Sequence, residues 1–219
     1  MIDGVAIIPV EGTLVQKLGT MQPACGMTSY DGIRACFLEA LDDDAVCSIL
    51  LDIDSPGGEV AGCLDLADEI FAARGRKPIW AMLGEVAYSG AYVIASSADR
   101  VLVPRTGSAG SVGVMTMHAD FSAALTTQGI NVTLITHGSH KADGNEFEPL
   151  PAEVLERIQA QIDAMGELLV RTVARYRGMT PVAVRATQAA TYMGGEAVAV
   201  GFADVVASPS SVLAALSTI

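Results

Sequence analysis

Apolar runs alternate with helix-like segments along the first half of the chain, and this alternation constrains its fold most strongly. Three runs have the length and continuous hydrophobicity of buried strands: Val5 to Val10, Val46 to Ile53 and Ile79 to Leu83. Between them, apolar side chains recur at helical spacing, as from Ser29 to Leu41. Strands that alternate with helices form a parallel sheet with right-handed crossovers. We therefore predict an α/β fold and, because no linker or repeat interrupts the chain, a single domain over residues 1–219.

The second half of the sequence predicts more strands and one long helix. Strands are predicted at Arg100 to Val103, Val112 to Met117 and Asn131 to Thr136. After Pro151, apolar residues step by three and four, which indicates an amphipathic helix. Gly178 is a suitable residue to end that helix in the left-handed conformation.

Composition excludes several classes of partner. The chain carries a formal net charge of −12, which argues against nucleic acid or an anionic membrane surface as its main partner. Only 17% of residues are charged while 51% are hydrophobic, so we expect part of the apolar surface to be covered by other subunits of a homo-oligomer. No apolar run is long enough to span a membrane, and no basic leader precedes Val5. We therefore expect a cytoplasmic chain without a membrane anchor.

The cysteines and histidines do not form a metal-binding pattern. The four cysteines have no C-x-x-C spacing, and the three histidines lie far from them: Cys25, Cys36, Cys47, Cys63, His118, His137 and His140. We predict reduced thiols, no metal and no cofactor.

One serine stands where a strand is predicted to turn into a helix. The segment Ala87-Tyr88-Ser89-Gly90 follows the strand that ends near Leu83. A serine at such a turn can be a catalytic nucleophile, and glycine beside it leaves space for a substrate backbone. It can equally be the N-cap of the helix, which is the commoner role. The local sequence does not decide between the two.

A serine hydrolase also needs oxyanion donors and a base. The predicted tight turn Asp54 to Gly58 follows a neighbouring strand, and loops at the carboxyl ends of parallel strands gather where ligands bind. Its amides, with that of Gly90, could therefore form an oxyanion hole, although the segment could also be a plain turn. The side chains that could act as the base are His118, His137, His140 and Lys141. A lysine would need burial to favour its neutral form, because lysines are mostly exposed.

Four motifs in order resemble the signal-peptide-peptidase (protease IV) family of serine peptidases. They are S-P-G-G at Ser55, A-Y-S-G-A-Y around Ser89, G-S-x-G-S-V-G-V around Ser111 and G-x-x-K ending at Lys141. The resemblance implies that Ser89 is the nucleophile and Lys141 the general base. It also implies that Ser111 helps to hold the lysine amine. The residues implied to supply the oxyanion site are Gly57, Gly58 and Gly90.

The same resemblance implies a fold and a biological role. The fold is the Clp/crotonase type, a twisted β-superhelix with flanking helices, usually in a ring-like oligomer. The loop from His137 to Leu150 is similar to that of phage and prophage members, which cleave scaffold and capsid proteins. We therefore expect a phage scaffold, portal or capsid protein as substrate, in the bacterial cytoplasm or an assembling phage particle. A scaffold-like segment often follows the protease domain in those members, and we expect it to be absent after Ile219.

Four alternatives stay open. A Clp-type peptidase would use a Ser-His-Asp triad, with His118 as the candidate base. A peptidase of this family could instead degrade signal peptides. A crotonase-type acyl-CoA enzyme would share the fold and the oxyanion turn, and a non-enzymatic assembly protein would keep only the fold.

Overall fold

The computed structural model describes residues 1–18 and 25–218. The strands in this part of the chain are β1 (Val5–Val15), β2 (Met27–Ser29), β3 (Ser48–Gly58), β4 (Ile79–Tyr88), β5 (Arg100–Val103), β6 (Ser108–Gly110), β7 (Thr191–Met193) and β8 (Val205–Val206). The helices are α1 (Tyr30–Asp42), α2 (Cys63–Ala72), α3 (Gly90–Ser96), α4 (Ser122–Thr127), α5 (Ala152–Arg177), α6 (Pro181–Ala186), α7 (Gly195–Ala199) and α8 (Pro209–Leu216).

The strands form one mixed sheet, and the predicted α/β class is confirmed. Its main path runs in the order β2-β1-β3-β4-β5-β8, and every neighbouring pair on this path is parallel. The sheet branches at β4, which pairs with β5 through residues 80–82 and with β6 through residues 86–88. Strand β7 then pairs antiparallel with β6.

The observed β3 is longer than the sequence predicted. A tight turn was expected from Asp54, but the strand continues through Gly58. The reason is its neighbour β1, which also continues and pairs Thr13 with Gly57 and Leu14 with Gly58. Pairing between β3 and β4 ends earlier, at Ser55 and Ala87. The last residues of β3 therefore have a strand on the β1 side only.

Contacts divide the described chain into two compact units, and the first comprises residues 1–113 and 168–219. It contains the whole sheet. Alternate side chains of β3 are buried, and Leu51 and Ile53 have no exposed surface. A second apolar cluster joins the other face of the strands to the C-terminal helix: Val5, Leu50, Met82, Leu102, Val212 and Leu216. Helices cover both faces, as expected for buried parallel strands.

Helix ends in this unit follow the sequence signals. The Ser29 side chain accepts a hydrogen bond from the Gly32 N–H and caps α1. Gly178 ends α5 with a φ of +63°, as predicted from its position. Thr180 and Ser208 cap α6 and α8 in the same way as Ser29 caps α1.

The second unit comprises residues 114–167 and contains α4 and the first part of α5. The strand predictions for Val112 to Met117 and Asn131 to Thr136 are wrong, since neither segment has a strand assignment. Both segments are rich in apolar residues, but within the described chain no neighbouring strand pairs with them. Met115, Met117 and Ile135 are 86%, 84% and 93% exposed.

Candidate active site

Ser89 occupies a strained turn between β4 and α3. Its φ of +51° and ψ of −124° lie outside the regions that a residue with a side chain ordinarily adopts. Such strain costs on the order of 1–3 kcal/mol and clusters at functional sites. Ser89 stands at the N-cap position of α3, yet its side chain makes no capping hydrogen bond. Capping therefore does not explain this serine.

The paired strands β4 and β6 place Ser111 beside Ser89. Tyr88 pairs with Gly110, so each serine is the next residue after a register partner. The Ser89 N–H donates to the Gly110 carbonyl over 3.0 Å. The Ser89 hydroxyl lies 3.4 Å from the Gly113 carbonyl oxygen. Ser111 also has a positive φ, +53°, and its N–H donates to the Ala190 carbonyl.

Gly57 packs directly against the Ser89 turn. A Cβ atom built on Gly57 would lie 2.8 Å from the Ser89 Cβ, 2.8 Å from the Tyr88 oxygen and 3.2 Å from the Gly90 nitrogen. Gly57 also has a φ of +98°, which favours glycine. The Gly57 N–H donates to the Ser55 hydroxyl over 3.0 Å. The end of β3 thus lies against the candidate nucleophile, as the rule for carboxyl ends of parallel strands predicts.

Gly58 ends β3 close to β1. A Cβ atom built on it would collide with the main chain of Leu14, and the Glu59 N–H donates to the Leu14 carbonyl over 2.9 Å. Strand β4 has already ended its pairing with β3 at this point. Gly90 is the first residue of α3, so helical bonding gives its N–H no partner. A free N–H at a helix N-terminus is suited to receive a developing negative charge, and Gly58 stays a predicted second donor.

Cys63 is the other nucleophile type close to Ser89. Its thiol donates to the Gly90 carbonyl over 3.4 Å and is only 3% exposed at the residue level. Burial raises the pKa of this thiol to about 12, so it stays protonated at neutral pH. Cys63 is therefore excluded as a thiolate nucleophile.

The candidate bases lie in the second unit. Lys141 is exposed in a loop, where its N–H donates to the Gly138 carbonyl. His118 Nε2 is 2.8 Å from the Asn145 carbonyl; because that oxygen can only accept, Nε2 carries the proton and cannot take another. His140 Nδ1 is 3.2 Å from Asp143 Oδ2, an acidic partner that the sequence did not identify.

Comparison with known proteins identifies the family. Residues 72–218 match the model of peptidase family S49. This match covers well over half of the chain. The chain belongs to peptidase family S49. Ser89, Ser111 and Lys141 lie inside the matched range, and Gly57 and Gly58 at the end of β3 lie before it.

Individual relatives of the S49 chain include phage proteins. It is 44% identical over 218 residues to the head-tail preconnector protein GP5 of Enterobacteria phage P21, covering 100% of this chain and 44% of the relative. It is 44% identical over 204 residues to capsid assembly protease C of Escherichia phage lambda, covering 93% of this chain and 46% of the relative. Protease 4 of Haemophilus influenzae is 26% identical over 211 residues, covering 93% of this chain and 33% of that protein. The chain thus spans less than half the length of these relatives.

The structure of this S49 chain brings together most of the predicted site. The first unit holds five of the six residues side by side: Gly57, Gly58, Ser89, Gly90 and Ser111. Lys141 belongs to the second unit. Sequence reasoning missed Tyr30 and Cys63, whose polar atoms lie beside Gly90. They are distant from Gly90 in the sequence, and only the fold brings them together.

Two structural observations concern metals and membranes. In residues 1–18 and 25–218, no group of three or more His, Cys, Asp or Glu side chains is arranged to hold a metal ion. No helix in this same part of the chain has both the length and the hydropathy to cross a bilayer.

Proposed function

We propose that the chain is a serine endopeptidase in which Ser89 is the nucleophile and Lys141 the general base. The observation that carries this proposal is the strained Ser89 turn, which presents a hydroxyl without a capping role against the glycine end of β3. A strained serine without a capping role, beside the first N–H of a helix and a close-packed glycine, is an arrangement suited to acyl transfer. Membership of a peptidase family supports the same reaction.

The proposed reaction follows from these positions. Lys141 is exposed in the described chain, so this step requires that its amine first be desolvated. The amine then takes the proton of the Ser89 hydroxyl, and the oxygen attacks the carbonyl carbon of a peptide bond. The amides of Gly58 and Gly90 donate to the resulting oxyanion, while Gly57 allows the close approach. The protonated lysine then gives its proton to the leaving amine, and water hydrolyses the acyl-enzyme with Lys141 again as base. Ser111, beside Ser89, orients the lysine amine.

The proposed substrates are phage head proteins, namely scaffold, portal or capsid proteins. This step rests on the phage relatives, one named a capsid assembly protease and the other a head-tail preconnector protein. The bacterial cytoplasm or an assembling phage particle is the corresponding location. Cleavage of a cognate scaffold protein by the wild-type chain, and not by Ser89→Ala, tests the substrate.

We also propose the finer features of the architecture. The parallel sheet with helices on both faces is compatible with a Clp/crotonase-type superhelix in a single domain. A homo-oligomer is supported by the exposed apolar side chains of the second unit, such as Met115, Met117 and Ile135. Sedimentation velocity checks the oligomer: a monomer at micromolar concentration contradicts it.

Mass spectrometry after treatment with a fluorophosphonate tests the catalytic residues. We expect the label on Ser89, and we expect Lys141→Ala to reduce the labelling rate by at least about 100-fold, since a positioned base contributes 10²–10⁴-fold. The matched control is His140→Ala, the neighbouring loop residue with its own acidic partner. Labelling of a different serine would refute Ser89 as the nucleophile. If His140→Ala loses the labelling and Lys141→Ala retains it, the base is His140 and not Lys141.

A further inference from the structure

Tyr30 connects the two backbone segments that would stabilise the oxyanion. It is the first residue of α1 and only 2% exposed. Its hydroxyl donates to the main-chain carbonyl of Glu59 over 2.6 Å. Glu59 comes directly after Gly58, and its own N–H is held by Leu14. Both main-chain polar groups of Glu59, the first residue after β3, are therefore hydrogen-bonded: its N–H to Leu14 of β1 and its carbonyl to Tyr30.

The same hydroxyl also lies against Gly90. A Cβ atom built on Gly90 would be 3.1 Å from the Tyr30 Oη and 3.2 Å from the Cys63 Sγ. The Cys63 thiol donates to the Gly90 carbonyl, and because burial raises its pKa to about 12, it remains a donor. Burial raises the pKa of Tyr30 as well, so its hydroxyl also keeps its proton.

We propose that Tyr30 and Cys63 are positioning residues that set the distance between the Gly58 and Gly90 amides. Neither side chain touches the proposed reacting atoms. Each side chain holds one backbone segment: Tyr30 holds the segment after Gly58, and Cys63 holds the segment at Gly90. The Tyr30 hydroxyl and the Cys63 thiol both lie next to Gly90. This inference rests on the proposed function, because an oxyanion site gives the separation of the two amides its importance.

Removal of the Tyr30 hydroxyl should change kcat and leave KM. Tyr30→Phe retains the ring but releases the Glu59 carbonyl, so the segment after Gly58 keeps only its hydrogen bond to Leu14 and is held less firmly. Loss of a whole oxyanion donor costs about 10²–10³-fold in kcat. For a displaced donor we expect a smaller loss, about tenfold. We expect KM to change by less than about twofold, since these amides stabilise the oxyanion of the transition state and contribute little to binding of the substrate in its ground state.

Tyr92→Phe is the matched control. Tyr92 is fully buried, and its hydroxyl also donates to a main-chain carbonyl, that of Phe202, over 2.9 Å. Its removal should lower the melting temperature about as much as Tyr30→Phe does, with kcat unchanged. A purely structural role for Tyr30 therefore predicts that the two variants have the same kcat.

The experiment combines kinetics with amide hydrogen exchange on the full chain. In Tyr30→Phe we expect faster exchange at Gly57–Glu59, the segment that the Tyr30 hydroxyl holds, and in Tyr92→Phe no change at this segment or at Ser89–Gly90. If Tyr30→Phe matches Tyr92→Phe in kcat and in exchange, the inference is wrong. If the wild-type chain shows no Ser89-dependent cleavage, the proposed function fails, and the exchange result alone decides whether Tyr30 holds the segment after Gly58.

A second variant covers the case in which Tyr30→Phe does not fold at the assay temperature. Cys63→Ala removes the donor to the Gly90 carbonyl, and we expect a kcat loss of about threefold to tenfold, with faster exchange confined to the Gly90 segment. Unchanged exchange at Gly90 in Cys63→Ala would contradict the proposed positioning.

Discussion

Gly57→Ala should damage both stability and activity, because a methyl group there has no room. The new Cβ would lie 2.8 Å from the Ser89 Cβ. Carbon atoms in contact stay about 3.5–4.0 Å apart, so one of the two turns must move by about 1 Å. A displacement of this size at a reacting group costs about 100-fold in rate. The positive φ adds about 1–2 kcal/mol of strain, and overpacking adds about 1–3 kcal/mol.

Gly75→Ala separates these two contributions. Gly75 has a similar φ, +85°, but a Cβ atom on it would have no neighbour within 4 Å. We expect this control to lose only about 1–2 kcal/mol of unfolding free energy and to keep full activity. Urea unfolding curves and kcat on a peptide substrate measure both effects. If Gly57→Ala is no less stable than Gly75→Ala and remains active, the close packing of Gly57 on Ser89 does not constrain the site.

Three further outcomes are expected. Ser111→Ala should lower kcat at least about tenfold with the urea midpoint unchanged, because it removes the hydroxyl that is proposed to orient the Lys141 amine. Asp204→Asn should cost about 1–2 kcal/mol at neutral pH, since it leaves the buried Arg177 guanidinium without its carboxylate. Burial acts to raise the Asp204 pKa, but hydrogen bonds from Arg177 and the Val101 N–H outweigh it and lower that pKa. Its contribution is therefore present above the ordinary carboxyl pKa of about 3.9, and it is lost as pH falls through the lower folded value. Unfolding curves between neutral pH and pH 3 should show a weaker acid dependence in the variant. Arg74→Lys should lose about 2 kcal/mol, because one ammonium cannot replace the guanidinium bonds to carbonyls at the end of α3; an unchanged urea midpoint would refute this.

The sequence predicted the parallel part of the sheet well because buried parallel strands have a simple signature. The runs at Val46 to Ile53 and Ile79 to Leu83 became β3 and β4, and β5 has the predicted bounds. Local signals also predicted how α5 ends at Gly178, where a positive φ is needed. These features depend on neighbouring residues or on continuous burial, so a single sequence contains them.

The sequence predictions that the structure corrects concern segments whose conformation depends on pairing with residues distant in the sequence. Nothing local to Gly57 reveals that β1 continues beside it, so a strand end was predicted as a turn. The segment from Val112 to Met117 is apolar enough for a strand, but a strand exists only with a hydrogen-bonded partner, which the sequence does not specify. For the site, motif order predicted the serines and glycines. The pairing of Tyr30 with Glu59 joins residues 29 positions apart and has no local signature.

The branching of the sheet at β4 also determines where another chain could add as a strand. Strand β4 has β3 along one edge and, in succession, β5 and β6 along the other. Strand β6 lies between β4 and β7, and most of β3 lies between β1 and β4. Edges covered in this way cannot template aggregation. Near Ser89, the described chain leaves unpaired the β4 side of Gly57 and Gly58 and the outer edge of β7. Under the proposed function, a peptide bound at Gly57 and Gly58 would form just one or two ladder hydrogen bonds, and its selection would depend mainly on contacts with side chains.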